Sequence, residues 1–92
     1  MEKVLYNNFI FKMIGMPTAF VLINADLGSE REIVKELKKI EEVKEAYAIY
    51  GTYDVIVKLS ADTMDKLKDT VSSKIRGLKS IRSTLTTIVM EE

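Results

Sequence analysis

The sequence predicts an α+β domain built in the order β-α-β-β-α-β. Three observations carry this reading. The run Thr18-Ala19-Phe20-Val21-Leu22-Ile23-Asn24-Ala25 is short and apolar on both sides of its alternation. Two later stretches repeat apolar residues at helical spacing. A turn signal, Gly51-Thr52, sits between two segments with strand character.

The first strand spans 18–25 and follows the chain's one proline, Pro17. Ala19, Val21 and Ile23 point one way, and Phe20 and Leu22 the other. Both faces are therefore expected to be covered. Helices can cover only one of them, so the other needs a partner. Gly28-Ser29 forms a turn, and Ser29 with Glu32 fits a capping box that opens a helix over 30–40. Its apolar stripe is Ile33, Val34, Leu37 and Ile40. A second strand covers 43–50, Gly51-Thr52 is a two-residue hairpin turn, and a third strand covers 53–59. Asp62 is the expected cap of a second helix with the stripe Met64, Leu67, Val71, Ile75 and Leu78, stopped near Gly77. The closing strand covers 81–90, where threonines and branched residues favour extended backbone. Right-handed crossovers arrange these strands as a four-stranded antiparallel sheet with both helices on one face, the ferredoxin-like arrangement. Residues 1–16 are set apart as an N-terminal arm: Val4-Leu5-Tyr6, Asn7-Asn8 and Phe9-Ile10-Phe11 suit a small hairpin or an added edge strand. Residues 17–92 form the domain.

Composition limits the chemistry. A chain of 92 residues suits one domain. Lys plus Arg and Asp plus Glu number 14 each, so the net charge is zero, which argues against a direct nucleic-acid binder. The chain has no cysteine and no histidine. It thus lacks thiolate nucleophiles, cysteine metal sites and the commonest general base. No apolar run approaches a membrane span, no secretory signal is visible, and a cytoplasmic protein is expected.

The local residues narrow the fold further. The apolar first strand, Val43-Lys44-Glu45-Ala46-Tyr47 leading into Tyr50-Gly51-Thr52-Tyr53-Asp54-Val55, and the closing Ser83-Thr84-Leu85-Thr86-Thr87-Ile88-Val89 resemble the effector-binding (RAM) domain of the Lrp/AsnC family. The family ordinarily carries an N-terminal helix-turn-helix, for which residues 1–16 leave no room. The sequence is therefore similar to the stand-alone members that keep only the sensor. The resemblance implies a homodimer formed through the open sheet faces, growing to tetramers or octamers. It implies an amino-acid effector bound between subunits near the hairpin and the last strand, with full-length Lrp/AsnC regulators as further partners. No cofactor, no metal and no enzymatic activity are expected.

The candidate ligand-binding residues are Tyr50, Gly51, Tyr53, Asp54, Thr84 and Thr86. Each also has a purely structural explanation. Gly51 supplies the positive φ that a tight hairpin demands. Asp54, a residue strands disfavour, can cap turn amides or pair with a lysine, or it can meet a ligand ammonium. Thr84 and Thr86 share one face of the last strand and offer hydroxyls, while Ser83 points to the other. Tyr50 and Tyr53 flank the turn as packing residues or pocket walls. The Lys/Glu-rich stretches 35–39, 66–68 and 41–42 read as solvated surface. The rival readings are an ACT-like regulatory domain with Gly28 at its ligand interface, a small dimeric ferredoxin-like enzyme, and an RNA binder. The last needs aromatics beside basic residues on the central strands, and neutral charge with Tyr47 and Tyr53 serves that poorly.

Overall fold

The structure, a computed structural model, describes residues 16–90. The arm expected over residues 1–16 falls almost wholly outside them. The order along the chain is β1 (Thr18–Ala25), α1 (Glu30–Leu37), β2 (Val43–Ala48), β3 (Val55–Ser60), α2 (Met64–Asp69), whose rod continues as a π-helical turn (Thr70–Ile75), and β4 (Ile81–Ile88). The strands form one sheet in the order β2-β3-β1-β4, and every neighbouring pair is antiparallel. This is the ferredoxin-like α+β arrangement that the sequence predicts.

β1 sits at the centre because it can be buried on both faces. Its burial alternates strictly: Ala19, Val21, Ile23 and Ala25 are buried, and the residues between them are half-buried. The buried set meets Val55, Val57 and Leu59 from β3 and Ala46 from β2. Ile33 and Leu37 of α1, with Leu67, Val71 and Ile75 of the second helical rod, close this core. A buried aliphatic side chain of this size contributes about 1.5–3 kcal/mol relative to exposure.

Among the described residues no helix covers the opposite face. Residues paired across a sheet share a face. Tyr47 of β2 lies opposite Ile56 of β3, Ile56 opposite Leu22 of β1, and Leu22 opposite Leu85 of β4. An apolar row thus crosses all four strands. A polar row flanks it on one side, where Glu45 faces Lys58 at 3.9 Å and Thr87 donates to the Phe20 carbonyl oxygen at 3.1 Å. Phe20 stands within that row, opposite Lys58 and Thr87. On the other side Asn24 Nδ2 donates to Ser83 Oγ at 3.1 Å. Glu45 also accepts from the Tyr47 hydroxyl at 3.0 Å, and that bond raises the phenol's pKa.

Local details depart from the sequence reading. Ser29 makes no side-chain cap bond, so the capping box with Glu32 does not form. α1 ends at Leu37, and Lys39 and Ile40 continue as 3₁₀-type turns onto Glu36 and Leu37. The second helix is capped by Thr63 rather than Asp62: the Thr63 hydroxyl accepts from Lys66 N at 3.1 Å. Its last turn is wider than α, with Arg76 N donating to Val71 O, five residues back. Gly77 follows at the end of the rod, where a Cβ would sit 2.8 Å from the Ser73 carbonyl oxygen, so the close approach needs glycine.

The largest departure is Glu42, expected to be solvated. Its side chain is 5% exposed and meets Lys74 Nζ at 3.1 Å and Lys66 Nζ at 3.6 Å. Its own carbonyl oxygen accepts from Ser60 N at 3.0 Å. The turn before β2 is thereby tied to both β3 and α2. Burial pushes the Glu42 carboxyl up, but the hydrogen bond from Lys74, a backbone bond and the two ammonium charges outweigh it and hold the pKa below the ordinary glutamate value.

Candidate functional site

The six candidate residues are not gathered into one cluster. The β2–β3 connection is a loop over residues 49–54 and not a two-residue turn, because β2 stops at Ala48 and β3 starts at Val55. The loop is closed at its base by Ile49 N donating to Asp54 O at 2.9 Å. Gly51 stands at its tip with φ +152°, a backbone shape that an L side chain enters only with strain, and a Cβ there would meet nothing within 4 Å. Tyr50 beside it is fully exposed, and Tyr53 is half-buried.

Asp54 explains why the loop needs no tight turn. Ala25 is the last residue of β1 and has run past the start of β3, so its N–H lacks a strand partner on that side. Asp54 Oδ2 accepts from Ala25 N at 2.8 Å, while Asp54 N donates to Ile23 O at 2.9 Å. The side chain stands in for one more rung of ladder. It is a charge-assisted bond to a part-buried amide. Asp54 therefore fixes where the loop leaves the sheet, and Tyr50, Gly51 and Tyr53 project from that fixed base.

Thr84 and Thr86 lie on one face of β4, as expected, and Ser83 lies on the other. The face they share is the helix side. Thr84 pairs with Ile23 and Thr86 with Val21, both core residues of β1. Thr84 is thus at the same end of the sheet as Asp54, two strands away, since Val55 also pairs with Ile23. Thr86 lies deeper, and its Oγ1 is buried with no hydrogen-bond partner among the described residues.

That hydroxyl opens into a groove between β4 and the second helical rod. The groove holds about 190 Å³ and is lined by Ala19, Leu67, Val71 and Ile88, with Lys68, Ser72 and Arg76 along one wall and Thr86 on the other. Lys68, Ser72 and Arg76 are spaced four apart, one row over from the buried Leu67, Val71 and Ile75. The sequence reading treats Lys68 as solvated surface and overlooks this row. The signal was present in the spacing, but an i, i+4, i+8 set of polar residues also describes any exposed helix face. A larger cleft of about 500 Å³ lies where the loop after β1 meets the end of the second rod, lined by Gly28, Ser29, Glu32, Glu36, Leu78 and Lys79 among others. Among the described residues no group of acidic side chains is placed to hold a metal ion, and no helix is long and apolar enough to cross a membrane.

Comparison with known proteins accords with this geometry. Two solved structures are similar over most of their own length. FFRP-DM1 is 43% identical with a TM-score of 0.77, the match covering 80% of this chain and 99% of that one. The hypothetical protein PHS023 from Pyrococcus horikoshii is also 43% identical at a TM-score of 0.77, covering 83% of this chain and 92% of that one. At lower identity the fold recurs in E. coli AsnC (22%, TM-score 0.80). It recurs as well in the transcriptional regulator NMB0573 of Neisseria meningitidis, solved as a complex with L-Met (17%, TM-score 0.75). An uncharacterised HTH-type transcriptional regulator of Pyrococcus furiosus is 31% identical over 74 residues, which are 77% of this chain. The chain spans about half that regulator's length, 49%. Homocitrate synthases of Saccharolobus islandicus and Saccharolobus solfataricus match at 38% over 60 residues, but only 13% of the enzyme is covered. Residues 18–92 match the model of the Lrp/AsnC ligand binding domain, and the chain belongs to that family.

Proposed function

We propose that this domain is a non-enzymatic cytoplasmic sensor that takes up a free amino acid or a related small metabolite where copies of the chain meet. Effector binding shifts the assembly, and the assembly carries the signal to transcription regulators of the same family. The single observation that carries this reading is the apolar row Tyr47, Ile56, Leu22 and Leu85 across the open face of the sheet. A contiguous apolar patch with polar flanks marks an interaction surface. A second copy presents the same row and can satisfy it in an isologous contact. The homodimer formed this way is the unit from which tetramers or octamers grow, with residues 17–92 as the sensing unit.

Within that assembly the loop 49–54 is the effector-contacting element. Asp54 holds its base through Ala25, Gly51 lets the backbone approach a ligand, and the fully exposed Tyr50 and half-buried Tyr53 provide walls. Thr84, at the same end of the sheet, contributes a hydroxyl from β4, whereas Thr86 lies deeper on the helix side and faces the groove beside the second rod. The amino-acid class is supported by the L-Met complex of the fold neighbour from N. meningitidis. The sensing role is supported by the partners this domain keeps. Similar stretches belong to an HTH-type transcriptional regulator and to homocitrate synthases, as befits a module that detects rather than catalyses.

The test combines sedimentation with calorimetry. The wild-type chain is expected to sediment as a dimer or larger species, and Leu22→Lys as a folded monomer. At least one amino acid from a panel should release or absorb heat on binding and move the sedimentation profile by linkage. A monomeric wild-type chain at its highest soluble concentration would remove the interface. Silence across the panel from folded, assembled protein would remove the sensing role.

A further inference from the structure

We propose that the groove between β4 and the second helical rod is a separate binding site, and that it takes a small monocarboxylate with a short branched apolar chain and no ammonium group, such as a 2-oxo acid. The groove lies within one copy of the chain, so the proposal does not rest on the sensor reading or on assembly.

Three features of the groove select this ligand. First, its floor is apolar: Ala19, Leu67, Val71 and Ile88 provide no hydrogen-bonding side chain. Its volume of about 190 Å³ exceeds the ~150 Å³ of a dry apolar cavity known to admit benzene, so a chain of four or five carbons has room. Second, Thr86 Oγ1 is buried at this wall with no partner among the described residues. A buried hydroxyl left without a bond is destabilising, and a ligand oxygen would satisfy it. Third, among the described residues the only charged side chains lining the groove are Lys68 and Arg76. Both are cations on the exposed wall, so a carboxylate gains charge-assisted hydrogen bonds there. No acidic side chain among the described residues lines the groove. An ammonium group would meet like charge and no carboxylate, which selects the keto acid over the amino acid of the same skeleton.

The π-helical turn supplies the geometry. It widens the rod by one residue at Thr70–Ile75, and insertions of this kind recur at functional sites. Val71 lines the groove while its carbonyl accepts from Arg76 N, so the same turn sets both the apolar wall and the position of the arginine.

The test is a titration followed by NMR with methyl and amide probes. The ligands are 4-methyl-2-oxopentanoate, leucine, isovalerate and the neutral isovaleramide. The oxo acid is expected to shift the signals of Leu67, Val71, Thr86 and Ile88. Leucine and isovaleramide should bind at least tenfold more weakly at those signals, with isovalerate between. Arg76→Gln should weaken the oxo acid about tenfold. Ser72→Leu, a change at an exposed helix position, should plug the groove and abolish the shifts while the remaining spectrum stays native. Any of three results would overturn the proposal: unshifted groove signals at saturating oxo acid in folded protein, leucine binding there as tightly as its oxo acid, or undiminished binding in Ser72→Leu. Leucine shifting only the loop 49–54 would support the sensor reading and leave the groove to be judged by the oxo acid alone.

Discussion

Replacing Glu42 by glutamine tests the most deeply placed charge among the described residues. Glu42 is 5% exposed, whereas the side chains of Lys74 and Lys66 keep 48% and 54% of their exposure. The lysines can turn to water when the carboxylate is lost, so the variant does not strand two buried charges. The 3–5 kcal/mol seen when a fully buried pair is broken is therefore too large here. What is lost is one charge-assisted hydrogen bond at 3.1 Å and one looser contact at 3.6 Å, partly screened by solvent. Glutamine retains an acceptor of nearly the same shape. Together these set the loss at about 1–2 kcal/mol. With a urea m-value of roughly 1 kcal/mol/M, at the low end for small domains, the midpoint should fall by about 1–2 M at constant protein concentration.

The acid limb decides the cause. The folded state holds the Glu42 pKa below its ordinary value. On acidification the unfolded chain therefore takes up its proton first. The carboxylate's contribution is complete above the unfolded pKa, near 4.3, and is lost as pH falls through the lower folded value. The gap between wild type and Glu42→Gln should hold steady from pH 7 to about 5.5 and then close below pH 4. Urea melts at pH 7, 5.5, 4 and 3 measure it, with Lys74→Met in a double-mutant cycle. A gap that stays constant down to pH 3, or a cycle showing no coupling between Glu42 and Lys74, would refute the ion-cluster explanation.

Two further stability predictions follow from single hydrogen bonds. Asp54→Ala should cost about 1–3 kcal/mol by leaving the Ala25 amide unpaired, whereas Asp54→Asn, which keeps a carbonyl oxygen, should recover at least half of that in thermal melts. Thr63→Ala should cost about 1 kcal/mol as the loss of a working N-cap, while Ser29→Ala should stay within about 0.5 kcal/mol because its hydroxyl caps nothing. Equal losses at Thr63 and Ser29 in chemical denaturation would contradict the cap assignment.

The strands and their order were legible in the sequence because burial leaves a period. Ala19, Val21 and Ile23 alternate with Phe20 and Leu22, and the bounds of β1 came out as read. The need for a second covering layer was legible for the same reason, since no helix can reach the face carrying Leu22. What stayed hidden depends on partners distant in sequence or on choices among near equivalents. Ser29, Asp62 and Thr63 are all good caps, and only backbone geometry decides which bonds. Asp54 takes the place of a backbone rung, so a loop stands where a tight turn was expected. Glu42 looks like any glutamate until the chain places Lys74 beside it, 32 residues later. Thr84 and Thr86 were paired by their spacing, but which face they share is set by register with β1, which no local pattern reveals. The row Lys68, Ser72 and Arg76 could not be told from an ordinary solvated helix face.

The central position of β1 has a consequence during synthesis. β1 is the first strand of the sheet to be made, and its second neighbour is the last. Phe20 is joined to Thr87 across 67 residues of chain. At roughly 5–20 residues per second, the ribosome needs about 3–13 s to deliver that neighbour after β1 has emerged. Until then β1 has β3 on one side and an unpaired backbone edge on the other. The nascent domain is thus most adhesive just before completion, which makes that interval the one in which neighbouring ribosomes on one message can join their chains, before any finished copy exists.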